Sequence, residues 1–160
     1  MSLSKKIAAV LDENTKVHDP PCTVTVEDGP NRLTLHLSAL DSVGVAFTAL
    51  EFSAMDRPEW TPEALRGWGE RLAARVTYLM EPLKLFEIDA GGGEVQFRSQ
   101  SPTTRDDQRS YYEVRLFQNG SLRLERYTYV EGTRQRRRVP CQVTREVLER
   151  LSDDVAASVR

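Results

Sequence analysis

The 160-residue chain contains only two cysteines and two histidines, Cys22, Cys141, His18 and His36. Structural zinc sites and disulfide-rich secreted domains need several such residues at regular spacing. Neither a zinc-finger spacing nor an HExxH motif is present, and two cysteines do not make a disulfide framework. The sequence therefore predicts no metal site, and a reducing cytosol is the compartment that fits best.

The chain also lacks a long apolar segment. Its longest nearly unbroken apolar run, residues 43–50, is far short of the ~20 residues that cross a bilayer. No basic stretch leads into an apolar signal region. The formal charge of −2 argues against a general binder of nucleic acids or anionic membranes. We expect a cytoplasmic protein whose partner is another protein.

Catalytic signatures are missing as well. The nucleophile motif GxSxG is absent. Gly91-Gly92-Gly93 precedes a strand-like segment, not a helix, so we interpret it as a hairpin turn and not as a phosphate-binding loop. Cys141 is interpreted as a small buried thiol. The sequence therefore predicts no catalytic residue and no cofactor.

The patterns that are present predict a single α+β domain over residues 1–160. Apolar residues at helical spacing indicate helices at 4–12 and after Thr144. Residues 18–21, which include prolines at 20 and 21, prevent a helix between the first helix and the first strand. Strand patterns occur at residues 23–26, 33–37, 43–52, 83–88, 94–98, 111–117 and 122–130. The predicted order is α-βββ-α-ββ-ββ-α in a mostly antiparallel sheet.

The clearest element is an amphipathic helix over residues 61–80, which we expect to pack on the sheet. Thr61 is a suitable N-cap, Pro62 occupies the first helical position, and Glu63 lies at the positive end of the helix dipole. One apolar stripe follows, formed by Leu65, Trp68, Leu72, Val76 and Leu79.

Two glycines, Gly67 and Gly69, interrupt this helix on either side of Trp68. Each costs about 1 kcal/mol relative to alanine in a helix interior. We therefore predict close packing of that turn against the sheet.

The hairpin over residues 111–130 turns at an Asn-Gly pair, a strong hairpin signal. A three-residue loop, 118–120, sets Leu116 opposite Leu122, whereas a two-residue turn mixes apolar with charged residues on one face. We favour the three-residue loop. It also sets Arg115 opposite Arg123, which is unfavourable unless that face is well solvated.

A basic run is the first group of candidate binding residues. Its members are Arg134, Arg136, Arg137 and Arg138, with Tyr127 and Tyr129 nearby. Guanidinium groups can bind phosphate, and aromatic faces can stack on bases. The alternative is a solvated strand edge, because Pro140 directly after the run is typical of an edge segment.

The second group consists of Met55 and Trp60, in a loop that is otherwise polar. Large apolar groups on a loop often anchor a partner protein. They equally often close the end of a hydrophobic core. The sequence does not separate these two interpretations.

The order of elements, with Thr61-Pro62-Glu63 opening the middle helix, resembles the type III secretion chaperone-like fold. The resemblance covers most of the chain, but residues 109–131 add a hairpin to the pattern, so no site residue is carried over from that family. The resemblance implies a homodimer that binds an extended segment of another protein.

Three function hypotheses follow. The first is a non-enzymatic protein-interaction domain, chaperone- or adaptor-like, that binds a partner through a sheet face or an uncovered strand edge. The second is RNA or nucleotide binding by residues 134–138 with Tyr127 and Tyr129. The third is an enzyme of unfamiliar type with a site on the sheet face, involving His36 or tyrosines. The missing chemistry favours the first.

Overall fold

A computed structural model describes residues 2–14, 22–57, 59–89, 93–99, 103–105 and 107–160. Within these residues, three helices pack on one face of a ten-stranded antiparallel sheet. The helices are α1 (Leu3–Asn14), α2 (Pro62–Arg75) and α3 (Arg145–Ser158). The strands are β1 (Cys22–Asp28), β2 (Asn31–Leu40), β3 (Gly44–Ala54), β4 (Leu83–Asp89), β5 (Glu94–Ser99), β6 (Thr103–Arg105), β7 (Gln108–Phe117), β8 (Ser121–Val130), β9 (Gln135–Val139) and β10 (Cys141–Thr144).

The structure confirms the predicted α+β class and element order, and it adds three short strands. The main path of the sheet runs β1-β2-β3-β8-β7-β5-β4, while β6 pairs with β7, β9 with β8 and β10 with β3. These three strands have few or no alternating apolar residues, which is why the period-2 pattern missed them. The segment 18–21, which is predicted to prevent a helix, and the glycines at 91 and 92 lie outside the described residues.

Strands β3 and β8 pair over only part of their length. Leu50 to Ser53 of β3 lie opposite Leu124 to Ser121 of β8, whereas the first half of β3 pairs with β10 and the second half of β8 pairs with β9. The chain reverses at Pro140, between β9 and β10. Among the described strands, β9 therefore has a neighbour on one side alone, which confirms the predicted edge segment.

Helix α2 begins as the sequence predicts. The Thr61 side chain accepts a hydrogen bond from Ala64 N at 3.1 Å, and Leu65, Trp68 and Leu72 are buried. The helix ends at Arg75, five residues before the predicted end, because Val76 leaves the helical region with φ −92° and ψ 81°. Val76 and Leu79 are nevertheless buried, so the apolar stripe outlasts the helix.

The two glycines of α2 differ in what surrounds them. A methyl group at Gly69 would lie 1.8 Å from the Phe97 ring of β5, whereas one at Gly67 would meet only Nη1 of Arg71, at 3.1 Å. The predicted close packing therefore applies to Gly69.

Among the described helices, none is long and apolar enough to cross a membrane.

The β7-β8 hairpin has the predicted register. Leu116 lies opposite Leu122, and Arg115 lies opposite Arg123. Gly120 closes the three-residue loop with a φ of 82°, a backbone conformation that glycine adopts without strain.

Candidate functional site

The face of the sheet that the helices leave uncovered carries charged side chains. Along β5, β7, β8 and β9, the residues that alternate with the core positions point to this face. Five arginines there surround two buried glutamates, Glu113 and Glu125. The five are Arg98, Arg115, Arg123, Arg136 and Arg138. We call these arginines and the two glutamates together the arginine face.

Glu125 is the centre of the larger half of the arginine face. Its Oε1 accepts a hydrogen bond from Arg115 Nη2 at 2.8 Å, and its Oε2 accepts one from Arg138 Nη1 at 2.9 Å. Arg123 Nε lies 3.3 Å from Oε2, and the Tyr127 hydroxyl donates to Oε1 at 3.2 Å. Burial alone would raise the pKa of Glu125, but the hydrogen bond from Arg138 and the charge of Arg123 outweigh burial and lower it.

The position of Glu125 explains how two arginines can oppose each other across the hairpin. Arg115 and Arg123 both contact the Glu125 carboxylate, and Arg123 also forms an ion pair with Glu51 of β3. A shared counterion, and not solvent alone, therefore offsets the repulsion expected from the register.

Glu113 is the centre of the smaller half. Its Oε1 lies 3.2 Å from Arg98 Nε and 3.0 Å from Arg136 Nη1. Arg136 also donates to the Tyr111 hydroxyl at 3.3 Å. Burial alone would lower the pKa of Arg136, but these hydrogen bonds raise it above its ordinary value, so the guanidinium stays charged. The buried Oε2 of Glu113 has no hydrogen-bond partner among the described residues.

The arginines keep hydrogen-bonding capacity toward solvent. Their side chains are between 28% and 46% exposed, and each guanidinium has five N–H donors, of which these ion pairs use only some. Five guanidinium groups face the carboxylates of Glu51, Glu113 and Glu125, so positive charge is in excess. Such a surface can bind carboxylate or phosphate groups through paired N–H donors.

The structure divides the basic run between different sides of the molecule. Arg136 and Arg138 of β9 belong to the arginine face, where they contact Glu113 and Glu125. Arg137 alternates with them on the strand and therefore points to the opposite face. Arg134 lies in the preceding turn with a φ of 54°. The four arginines of the basic run, although close in sequence, therefore do not form one surface patch.

The two candidate tyrosines are already stacked on arginines. The Arg136 guanidinium lies 4.0 Å from the centroid of the Tyr127 ring, and the Tyr111 ring stacks at 6.2 Å from the same ring. Arg109 lies 5.5 Å from the Tyr129 ring centroid. Side chains of the protein therefore occupy much of the aromatic surface that base stacking needs.

Met55 and Trp60 lie apart from the arginine face and differ from each other. Trp60 is 3% exposed, and its ring centroid lies 4.9 Å from that of Trp68. Its indole N–H donates to the Arg57 carbonyl at 2.8 Å, while Met55 is 44% exposed. Trp60 therefore closes one end of the core, and Met55 contributes little to it.

Sequence reasoning missed Arg98, Arg115, Arg123, Glu113 and Glu125 as site residues. The signal was present in the hairpin, because charged residues of both signs alternate with the apolar ones along both predicted strands. Only the strand order, which brings β5 and β9 beside this hairpin, collects the five arginines.

His36 and Cys141 have side chains of the kind that serve as bases and nucleophiles in enzymes. His36 Nε2 lies 3.4 Å from Glu51 Oε1 without hydrogen-bond geometry. Burial raises the pKa of the Cys141 thiol to about 12, which makes it a poor nucleophile at neutral pH. In the described part of the chain, no group of three or more His, Cys, Asp or Glu side chains could hold a metal ion.

The first expected result concerns Glu125→Gln. At pH 7 the variant should lose about 2 kcal/mol of unfolding free energy, because three partly exposed arginines lose their counterion. The folded-state pKa of Glu125 lies below the ordinary 4.5, so its stabilisation is present above that pH and is lost as the pH falls through the folded value. Urea unfolding should therefore show a difference that shrinks progressively below pH 4.5.

The matched control is Glu131→Gln, because Glu131 is an exposed carboxylate paired with Arg109. This variant should change the unfolding free energy by less than about 0.5 kcal/mol at both pH 7 and pH 3. A difference between wild type and Glu125→Gln that stays constant between pH 7 and pH 3 would contradict the assigned role of the carboxylate charge.

Comparison with protein-family models, curated proteins and solved structures finds no match for this chain, so the resemblance to the type III secretion chaperone-like fold remains a prediction from element order.

Proposed function

We propose that the chain is a non-enzymatic protein-interaction domain and that its arginine face binds an acidic segment of a partner protein. The observation that carries this proposal is the set of arginines oriented by two buried carboxylates, Glu113 and Glu125, on a sheet face that no described helix covers. Buried carboxylates under exposed guanidinium groups hold the donors in place before a ligand arrives.

Prior ordering of the arginines favours binding. An unrestrained arginine loses rotamer freedom when it forms a new ion pair, and that loss opposes association. Arg136 and Arg138 have already lost this freedom to Glu113 and Glu125 in the unbound domain. Their remaining N–H groups match the spacing of a carboxylate, so acidic side chains suit the surface.

The alternative, RNA or nucleotide binding, has less support. The Arg136 guanidinium lies against the Tyr127 ring, so a nucleic-acid base would have to displace it before stacking on that face of the ring. Arg137 points to the opposite face from Arg136 and Arg138. An enzyme with a site near His36 has less support still, because the contact between the Thr23 hydroxyl and His36 Nδ1, at 3.3 Å, is exposed to solvent, whereas active sites usually lie in clefts that exclude water.

A labelled twelve-residue peptide of alternating Glu and Thr tests the proposal by fluorescence anisotropy at low salt. We expect it to bind the wild-type domain, and we expect Arg136→Ala and Arg138→Ala each to weaken binding about tenfold, through the loss of about 1.4 kcal/mol of charge-assisted hydrogen bonding. Each substitution leaves at least one arginine on the glutamate below it, so the fold should be retained, as thermal unfolding can verify.

The matched control is Arg66→Ala, which removes an exposed arginine from α2 on the helical side of the domain. It should leave peptide affinity unchanged. Equal losses in the control and in the face variants would indicate general charge attraction and overturn the proposal. Tighter binding of a twelve-residue oligouridine than of the peptide would favour the RNA alternative.

A further inference from the structure

The edge of β9 that faces away from β8 is open. Gln135 to Val139 pair in register with Val130 to Arg126 of β8, and no other described strand pairs with β9. In an antiparallel ladder, alternate residues of an edge strand direct their N–H and C=O groups away from the neighbour. Part of the β9 backbone therefore remains available to pair with another strand.

The open edge of β9 lies in the fork between β8 and β3, on the side of β10. β9 follows β8 while β10 follows β3, so the two strands separate from the reversal at Pro140 toward their far ends. The side chains of Gln135 and of the three arginines after it are exposed, and the strand contains no proline. These are the features of an edge that accepts an added strand.

Positive charge borders the open edge on both faces. Arg136 and Arg138 point to the arginine face, while Arg137 between them points to the other. An extended segment lying beside β9 would place three consecutive side chains next to these three arginines, at the 4.5–5.5 Å typical of cross-strand Cβ atoms. Three consecutive acidic residues complement that arrangement.

The edge of β1, at one end of the sheet, has the opposite character. Lys6 of α1 donates a hydrogen bond to the Glu27 carbonyl, and its ammonium lies 3.8 Å from the Asp28 carboxylate. A lysine of the same chain thus already binds a backbone oxygen there, beside acidic side chains. An acidic segment is therefore matched to β9 and not to β1.

We propose that an acidic segment of the partner adds to the sheet as a strand along β9, with three consecutive acidic residues beside Arg136, Arg137 and Arg138. This inference rests on the proposed function, because both require an acidic protein segment. It adds backbone hydrogen bonding to the charge pairing and gives the bound segment a defined register.

Backbone methylation of a synthetic peptide tests the pairing directly. The probe is a seven-residue peptide, Thr-Val-Glu-Glu-Glu-Val-Thr, with blocked termini, made also with N-methyl groups on its odd residues or on its even residues. Strand addition predicts that one methylated form loses affinity about tenfold or more, since its methyl groups face β9, while the other form binds like the parent. Equal binding of all three forms would overturn strand addition and leave the proposed function standing.

Arg137 separates the two proposals on the protein side. Binding across the arginine face alone predicts no effect of Arg137→Ala, whereas strand addition predicts a loss of about tenfold. Arg134→Asn is the matched control, because it removes a neighbouring charge outside the strand and asparagine tolerates the positive φ of that turn. Unchanged binding in Arg137→Ala would contradict strand addition. Failure of the parent peptide alone to bind wild-type protein would overturn strand addition, whereas failure of both this peptide and the twelve-residue Glu-Thr peptide would overturn the proposed function itself.

Discussion

Trp60→Ala is expected to lower the free energy of unfolding by about 3–5 kcal/mol, the usual cost of removing a buried tryptophan. The Trp60 ring packs on the Trp68 ring with 31° between the two planes. The backbone N–H of Trp60 donates to the Gln118 carbonyl at 2.9 Å, which connects the loop before α2 to the β7-β8 turn. The same turn packs tightly on the ring, because a methyl group at Gly120 would lie 2.9 Å from Trp60 Nε1. Removing the ring therefore leaves a cavity that these neighbours border.

Urea unfolding at pH 7 measures this cost, and Met55→Ala is the control from the same loop. Met55 is 44% exposed, so its truncation should change the unfolding free energy by no more than about 0.5 kcal/mol. A small loss in Trp60→Ala would mean that the indole does not close the core and would return Trp60 to the list of partner anchors. Similar losses in both variants would equally contradict the division of roles.

Gly69→Ala is expected to cost about 3 kcal/mol, at the upper end of typical overpacking penalties. Alanine gains about 1 kcal/mol of helix propensity over glycine, but the methyl group would lie 1.8 Å from one atom of the Phe97 ring and 1.9 Å from the next. The ring is 1% exposed and cannot move without disturbing β5. Overlap therefore outweighs propensity.

Gly67→Ala is the matched control, two residues away in the same helix. Its methyl group would lie 3.1 Å from Nη1 of Arg71, whose Nε and Nη2 donate to the Ser158 and Val159 carbonyls, so a small displacement of this guanidinium offsets part of the gain in helix propensity. The substitution should change stability by less than about 1 kcal/mol in either direction. A double variant, Gly69→Ala with Phe97→Leu, should be less unstable than the sum of the two single changes, because the smaller side chain removes the overlap. Additive effects in this cycle would show that the Gly69-Phe97 contact is not the cause.

Several parts of the fold followed from local patterns. The Thr61 cap, Pro62 and the buried stripe located α2, because capping and amphipathic spacing act within a few residues. Residues 43–52 are apolar on both faces, a pattern typical of a central strand, and β3 lies between β2 and β8. The three-residue loop set the register of the β7-β8 hairpin, because one slipped residue would have exposed Leu116.

Other parts could not be predicted from local patterns. The apolar stripe predicts that α2 continues to residue 80, but the helix ends at Arg75, because Val76 and Leu79 continue the stripe in an irregular segment. Strand β9 was interpreted only as an edge or a basic patch, because Gln-Arg-Arg-Arg-Val has no hydrophobic period. Whether Trp60 anchors a partner or closes the core depends on Trp68 and on the hairpin turn, which are distant from it in sequence.

By itself, the sequence determined an antiparallel α+β domain, the capped middle helix and the hairpin register, because each depends on contacts between residues close in the chain. Tertiary structure alone decided the arginine face and the open edge of β9. Arg98, Arg115 and Arg136 belong to three strands, and only the strand order brings them to Glu113 and Glu125. Long-range pairing, which no local period encodes, therefore decides where the two surfaces of the proposed function lie.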